Sequence, residues 1–334
     1  MIKNNKLHTI GVLFSIVFLL KTTICHAKTR VANKEEVIVL LHGIGSNAKS
    51  FEVLQEKLET AFPFTQVIAL TSSEGPKSVL ASIEDQATAA FIELQEKIKN
   101  LTDSSILIIG QSQGAMRGYK FLKKHADKLN IKGLITLGAP WEGAEGARMT
   151  PFMLEKQLTQ EVKNELELLS TSMGYEPEHL ETNLKLEVQQ NQAMCAFPGA
   201  SDLIVGSNFL KQVAQDLQNI KIPILSIASE QSELEALSPN STQLKGKLKS
   251  LNKLYAWFVA GKHTNRRHDM MVPLYSQHAL TIVKNMKNFE RYCVNGAFHS
   301  ATVLSVPVPL EKNALKHPLV IQKIIDFAKS KLKK

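Results

Sequence analysis

Ser112 stands at the centre of Gly110-Gln111-Ser112-Gln113-Gly114, a run whose residue types could make its hydroxyl a nucleophile. A hydroxyl attacks poorly unless it is held exposed beside a base. A strand that turns sharply into a helix holds it so, and glycines on either side let the backbone pack closely at the turn. The apolar residues 106–109 precede the run and a helical pattern over 115–125 follows it, which is the setting that acyl transfer requires. A second run, Leu40-Leu41-His42-Gly43-Ile44-Gly45, closes the first strong apolar segment. Attack on a carbonyl leaves negative charge on oxygen, which fixed N–H donors must hold. The backbone N–H groups of Ile44, in this loop, and of Gln113, just after the serine, are the expected pair.

Positioning these groups needs a scaffold, and the chain alternates buried strands with amphipathic helices. Residues 37–41, 66–70, 106–109, 131–137 and 222–228 read as strands, the first as one buried on both faces. Helical spacing recurs over 50–62, 78–100, 115–125 and 319–332. Strands separated by helices imply an α/β fold, a mostly parallel sheet with helices on both faces. Between the fourth and fifth strands, residues 151–192 offer no strand, and Leu154, Leu158, Val162, Leu166 and Leu169 form a helical stripe. We expect a helical cap insertion there and a polar surface excursion at 231–268, within one domain spanning 36–330.

The pairing of a strand plus His-Gly loop with a strand plus Gly-x-Ser-x-Gly turn resembles the α/β-hydrolase superfamily. Leu137-Gly138-Ala139-Pro140 with Glu142-Gly143, and the segment 197–203, are similar to secreted lipases. The Ser112-Gln113-Gly114 run more faintly resembles palmitoyl-protein thioesterases. The resemblance implies a serine, acid and histidine triad in that chain order. Asp269 precedes Met270-Met271-Val272-Pro273-Leu274, similar to the family's acid loop, although the family often has glycine where Met270 stands. Asp202 is the rival acid. His299 follows the strand-like run 291–294, and imidazole suits proton transfer near neutral pH. His317, before Pro318, competes with it because the terminal helix starts unusually late.

The lipase-like features imply lipid or long-chain acyl ester substrates, with acyl-thioester cleavage, acyl transfer to an alcohol, or lipid binding without catalysis as alternatives. No cofactor is needed. His263, His268 and Asp269 make a poor metal set, since their spacing is irregular and Arg266 and Arg267 would repel a cation. Lys3 and Lys6, the apolar residues 10–20 and the small Ala27 have the layout of an export signal. The apolar run, 11 residues, is too short to span a bilayer, which takes roughly 20. Cleavage near Ala27 removes three lysines and no acid, lowering the formal charge from +9 to +6. That charge is scattered and not interleaved with aromatics, so nucleic-acid binding is not expected. Transient contact with an anionic membrane surface is compatible with it. In an oxidising compartment Cys195 and Cys293 have the option to pair, with two separate thiols as the alternative.

Overall fold

Runs such as Val37-Ile38-Val39-Leu40-Leu41 are apolar at every position because both faces of their strand are covered. The computed structural model describes residues 35–332, so the expected export signal lies outside the described residues. Six strands, β1 (Glu36–Leu41), β2 (Gln66–Ala69), β3 (Ser105–Gln111), β4 (Asn130–Leu137), β5 (Ile224–Glu230) and β6 (Phe289–Asn295), form one sheet in the order β2-β1-β3-β4-β5-β6. Every adjacent pair is parallel. Strand alternation sorts the side chains: Val37, Val39, Ile106 and Ile108 enter one apolar layer, while Ile38, Leu40, Leu107 and Ile109 enter the other.

The main helices are α1 (Glu52–Ala61), α2 (Pro76–Leu80), α3 (Ile83–Lys97), α4 (Gln113–His125), α5 (Pro151–Gln157), α6 (Gln160–Ser172), α7 (His179–Met194), α8 (Asn208–Asp216), α9 (Lys249–Ala260) and α10 (Pro318–Leu332). Ala87, Ala90 and Leu94 of α3 join Met116 and Tyr119 of α4 on one face. Leu54 and Leu58 of α1 join Ile324 and Phe327 of α10 on the other. The helix expected over 78–100 is two helices. Ser82 breaks it by accepting the Asp85 N–H at 3.1 Å as an N-cap, and the Asp202 carboxylate accepts the Ile83 N–H at 2.9 Å. Among the described residues no helix is long and apolar enough to cross a membrane.

A third apolar cluster lies beyond the sheet. Leu154, Leu166 and Leu169 pack there with Leu180, Leu184 and Val188 of α7. Residues 231–268, polar on average, contribute Leu234, Leu251, Tyr255 and Phe258 to the same cluster. This stretch is therefore more than a surface excursion, and its helix α9 is anchored at its start by Glu165 of α6, which accepts the Leu251 N–H at 2.7 Å. This cluster thus joins two segments distant in sequence.

Glu93 ties the loop after β2 to α3. Its carboxylate accepts the N–H groups of Thr71 at 3.0 Å and Ser72 at 2.8 Å and pairs with Lys97 at 2.9 Å. Burial alone would raise its pKa, but these donors outweigh it and hold the carboxyl at about 2. Its folded pKa lies below the unfolded value of roughly 4.3, so the stabilisation is complete above that pH and is lost as pH falls toward 2. Glu93→Gln is expected to lower unfolding free energy by about 2 kcal/mol at pH 7, the gap narrowing below about pH 4. Urea unfolding across pH measures this. A gap constant with pH would show that the carboxylate charge is not what holds the loop.

Candidate active site

β3 ends at Gln111 and α4 begins at Gln113, which leaves Ser112 alone at the turn with φ 55° and ψ −127°. A non-glycine residue in this region is strained, and such strain persists only where the surroundings over-determine it. Here the Ser112 N–H is held by the Leu137 carbonyl of β4 at 2.8 Å, and the Ser112 carbonyl by the Ala115 N–H at 3.0 Å. Gly114 permits the close approach of α4 to β1, since a Cβ there would collide with the Leu41 carbonyl.

The loop after β1 is fixed from below. Arg117 of α4 is buried, and its Nη2 donates to the His42 carbonyl at 2.9 Å. Burial pushes the arginine down to about 10, so the guanidinium remains charged near neutral pH. Burial, together with that guanidinium, lowers the His42 imidazole to about 4. A neutral ring beside a carbonyl must donate, so Nδ1–H of His42 is given to the Gly43 oxygen at 2.9 Å. The Gly45 N–H donates to Ser78 Oγ at 2.8 Å, and Gln113 Nε2 donates to the Ser78 and Gly199 carbonyls, each at 2.9 Å. As the first residue of α4, Gln113 has an N–H without an intrahelical acceptor. Ile44 lines the cleft beside Ser112.

At the same end of the sheet, the loops after β5 and β6 bring Asp269 and His299 together. Asp269 Oδ2 lies 2.7 Å from His299 Nδ1, and the His299 N–H donates to the Asp269 carbonyl at 2.9 Å. Oδ1 accepts the N–H groups of Met271 at 3.1 Å and Val272 at 2.7 Å. Met270, where the resembling family often has glycine, has φ 74°, the left-handed conformation that glycine adopts freely. Both side chains of the pair are buried. His299 Nε2 makes no hydrogen bond within the protein, and His299 lines the cleft that Ser112, Gly43 and Ile44 also line.

The two competing residues are elsewhere engaged. Asp202 holds the start of α3, and the His317 Nδ1 accepts the Leu319 N–H at 3.3 Å at the start of α10. His268 is buried, and its Nδ1 accepts the Met270 N–H at 3.0 Å, shaping the turn that carries Asp269. His263 stacks on Tyr275 at 3.9 Å. Among the described residues no group of three His, Cys, Asp or Glu side chains is placed to hold a metal ion. No disulfide joins Cys195, at the end of α7, to Cys293 on β6. Sequence reasoning missed Arg117, and it weighed His268 only as a poor metal ligand. Tertiary packing encloses both basic side chains.

Two cavities meet at Ser112. One, about 110 Å³, is lined by apolar groups including Leu203, Phe258, Val259 and Met270. The other, about 340 Å³, is more polar and includes His299, Lys49, Asn313 and Lys316. Gly138 has φ 57°, and a Cβ there would come within 2.7 Å of His299 Nδ1 and 3.2 Å of Asp269 Oδ2. Gly138→Ala is expected to displace the imidazole, lowering kcat for a chromogenic ester by about tenfold to a hundredfold. A variant that melts normally yet turns over at the wild-type rate would show the ring tolerates the intrusion.

A parallel sheet clothed on both faces by helices, with a strained strand-to-helix turn at its centre, is the α/β-hydrolase fold. The sequence profile of the palmitoyl protein thioesterase family matches residues 37–259. The chain belongs to that family. No curated protein shows significant sequence similarity to it. Among solved structures it is similar to the phospholipase PlaB from Legionella pneumophila, with TM-score 0.52, 12% identity and 87% of this chain covered. The match takes in 59% of the phospholipase chain. It is also similar to the lipase BlEst2 from Bacillus licheniformis, with TM-score 0.50 and 12% identity over 90% of this chain and 94% of that one. These likenesses show the fold.

Proposed function

We propose that the protein is a serine hydrolase that cleaves carboxylic esters of lipids or long-chain acyl groups. Ser112 Oγ attacks the acyl carbonyl while His299 Nε2 takes its proton, and the N–H groups of Ile44 and Gln113 hold the oxyanion. Asp269 fixes the imidazole with its proton on Nδ1 and stabilises the imidazolium. The proton passes to the departing alkoxide, the acyl group stays on Ser112, and water activated by His299 releases it as a carboxylic acid. The observation that carries this reading is the buried Asp269–His299 pair, 2.7 Å apart, whose outer nitrogen is unengaged in a cleft also lined by Ser112. The apolar cavity that Ser112 lines suits an acyl chain, and the adjoining polar cavity suits a leaving group.

The family match supports a second reading on the same machinery, cleavage of acyl thioesters. A fluorophosphonate probe tests the common core: peptide mapping should find it on Ser112, with no labelling of Ser112→Ala. Labelling at another serine, or ester hydrolysis that survives the substitution, overturns the proposal. Matched oxygen and sulfur esters across a chain-length series then separate the two readings.

A further inference from the structure

One carboxyl lines the apolar cavity. Glu187 belongs to α7, where Leu180, Leu184 and Val188 form the buried stripe, and it lines the cavity with Asn191 and Met194. Helical spacing of four and three residues puts these three side chains on one face of α7, in the wall of the cavity that Ser112 and Pro140 also line. No lysine, arginine or histidine lines that cavity, and among the described residues Glu187 forms no ion pair. The Leu304 backbone N–H lies close enough to favour the charged carboxylate in part. Partial burial without a nearby cation pushes the group up to about 7, although the side chain keeps some exposure. A carboxyl facing an apolar cavity carries a desolvation cost that an apolar side chain would not.

We infer that Glu187 is a substrate-reading residue which accepts a hydrogen bond from a donor group on the acyl chain, so that the preferred acyl groups carry a hydroxyl or amino group and are otherwise apolar. The inference rests on the proposal that the cavity beside Ser112 receives the acyl chain. A carboxyl oxygen beyond the one held by Leu304 has up to two lone pairs to offer. A plain methylene chain leaves it desolvated and unmatched, and a site built around a polar partner discriminates strongly against a ligand that lacks it.

The test has a binding arm and a turnover arm. Calorimetry of Ser112→Ala protein with 1-decanol and with decanediols of varied hydroxyl spacing should show at least one diol binding about tenfold tighter than the alcohol. Glu187→Leu, placed in that background, should remove the preference; Glu187→Gln, which keeps an acceptor oxygen, should retain part of it. In the parent enzyme, kcat/KM for hydroxylated, aminated and plain p-nitrophenyl decanoates should follow the same order, the amino arm alone being lost in Glu187→Gln. Equal affinities for alcohol and every diol, or a preference that survives Glu187→Leu, overturns the inference. A wild-type protein that binds diols selectively but hydrolyses no ester would instead refute the proposed chemistry and leave the Glu187 site standing.

Discussion

Ser112→Ala is expected to reduce kcat for a chromogenic ester by about 10⁶-fold while leaving Tm close to wild type. The size follows from losing the covalent route altogether. The proposed oxyanion donors and acyl cavity remain in this variant, so about 10³–10⁴-fold acceleration over the water reaction should persist. His299→Ala should cost nearly as much, and the double substitution scarcely more, because the two groups act in one step. Kinetics of both single variants and the double variant measure this. Additive losses would mean that the serine and the imidazole do not act together. Alanine keeps the Cβ at φ 55°, so the backbone strain at the turn is unchanged and the comparison reads chemistry, not refolding.

Asp269→Asn should lower kcat by about 10⁴-fold, through the wrong tautomer. Oδ1 accepts two backbone N–H groups, from Met271 and Val272, so an asparagine must keep its carbonyl oxygen there. Its NH₂ then faces His299 Nδ1, which has to become an acceptor. The ring proton moves to Nε2, the nitrogen that should take the serine proton. Asp269→Ala would in addition strip the turn of both backbone anchors and reduce Tm. Rates and melting curves of the pair separate the two effects, and an Asn variant with near-native kcat would remove Asp269 from the proton relay.

The sheet was readable in the sequence because parallel strands covered on both faces, such as 106–109, leave a continuous apolar run. The turn at Ser112 was readable for a similar reason: glycines at close contacts and an adjoining helix are local signals. Less local features were obscure. The break near residues 81–82 has a local signal in the Ser82 N-cap, which the surrounding helical spacing masks, and a distant one in the Asp202 carboxylate about 120 positions away in the chain. The helix α9 was hidden because lysines and polar residues flank it and its apolar partners lie on the earlier helices α5 to α7. The choice of His299 over His317 also turned on distant contacts. One imidazole meets Asp269, and the other serves a helix end. Arg117 could not be placed, because nothing in the sequence tells an exposed basic residue on a helix from one enclosed beneath a neighbouring loop.

Met270 and Phe298 belong to the cap's apolar cluster, and they are the immediate neighbours of Asp269 and His299. The mortar of the roof is therefore also the footing of the acid and the imidazole. A cap that lifted as a free hinged flap would withdraw that footing, so large excursions must loosen the pair as they admit solvent. Heat or denaturant should therefore extinguish turnover at the point where this shared cluster loosens, before the sheet beneath it gives way.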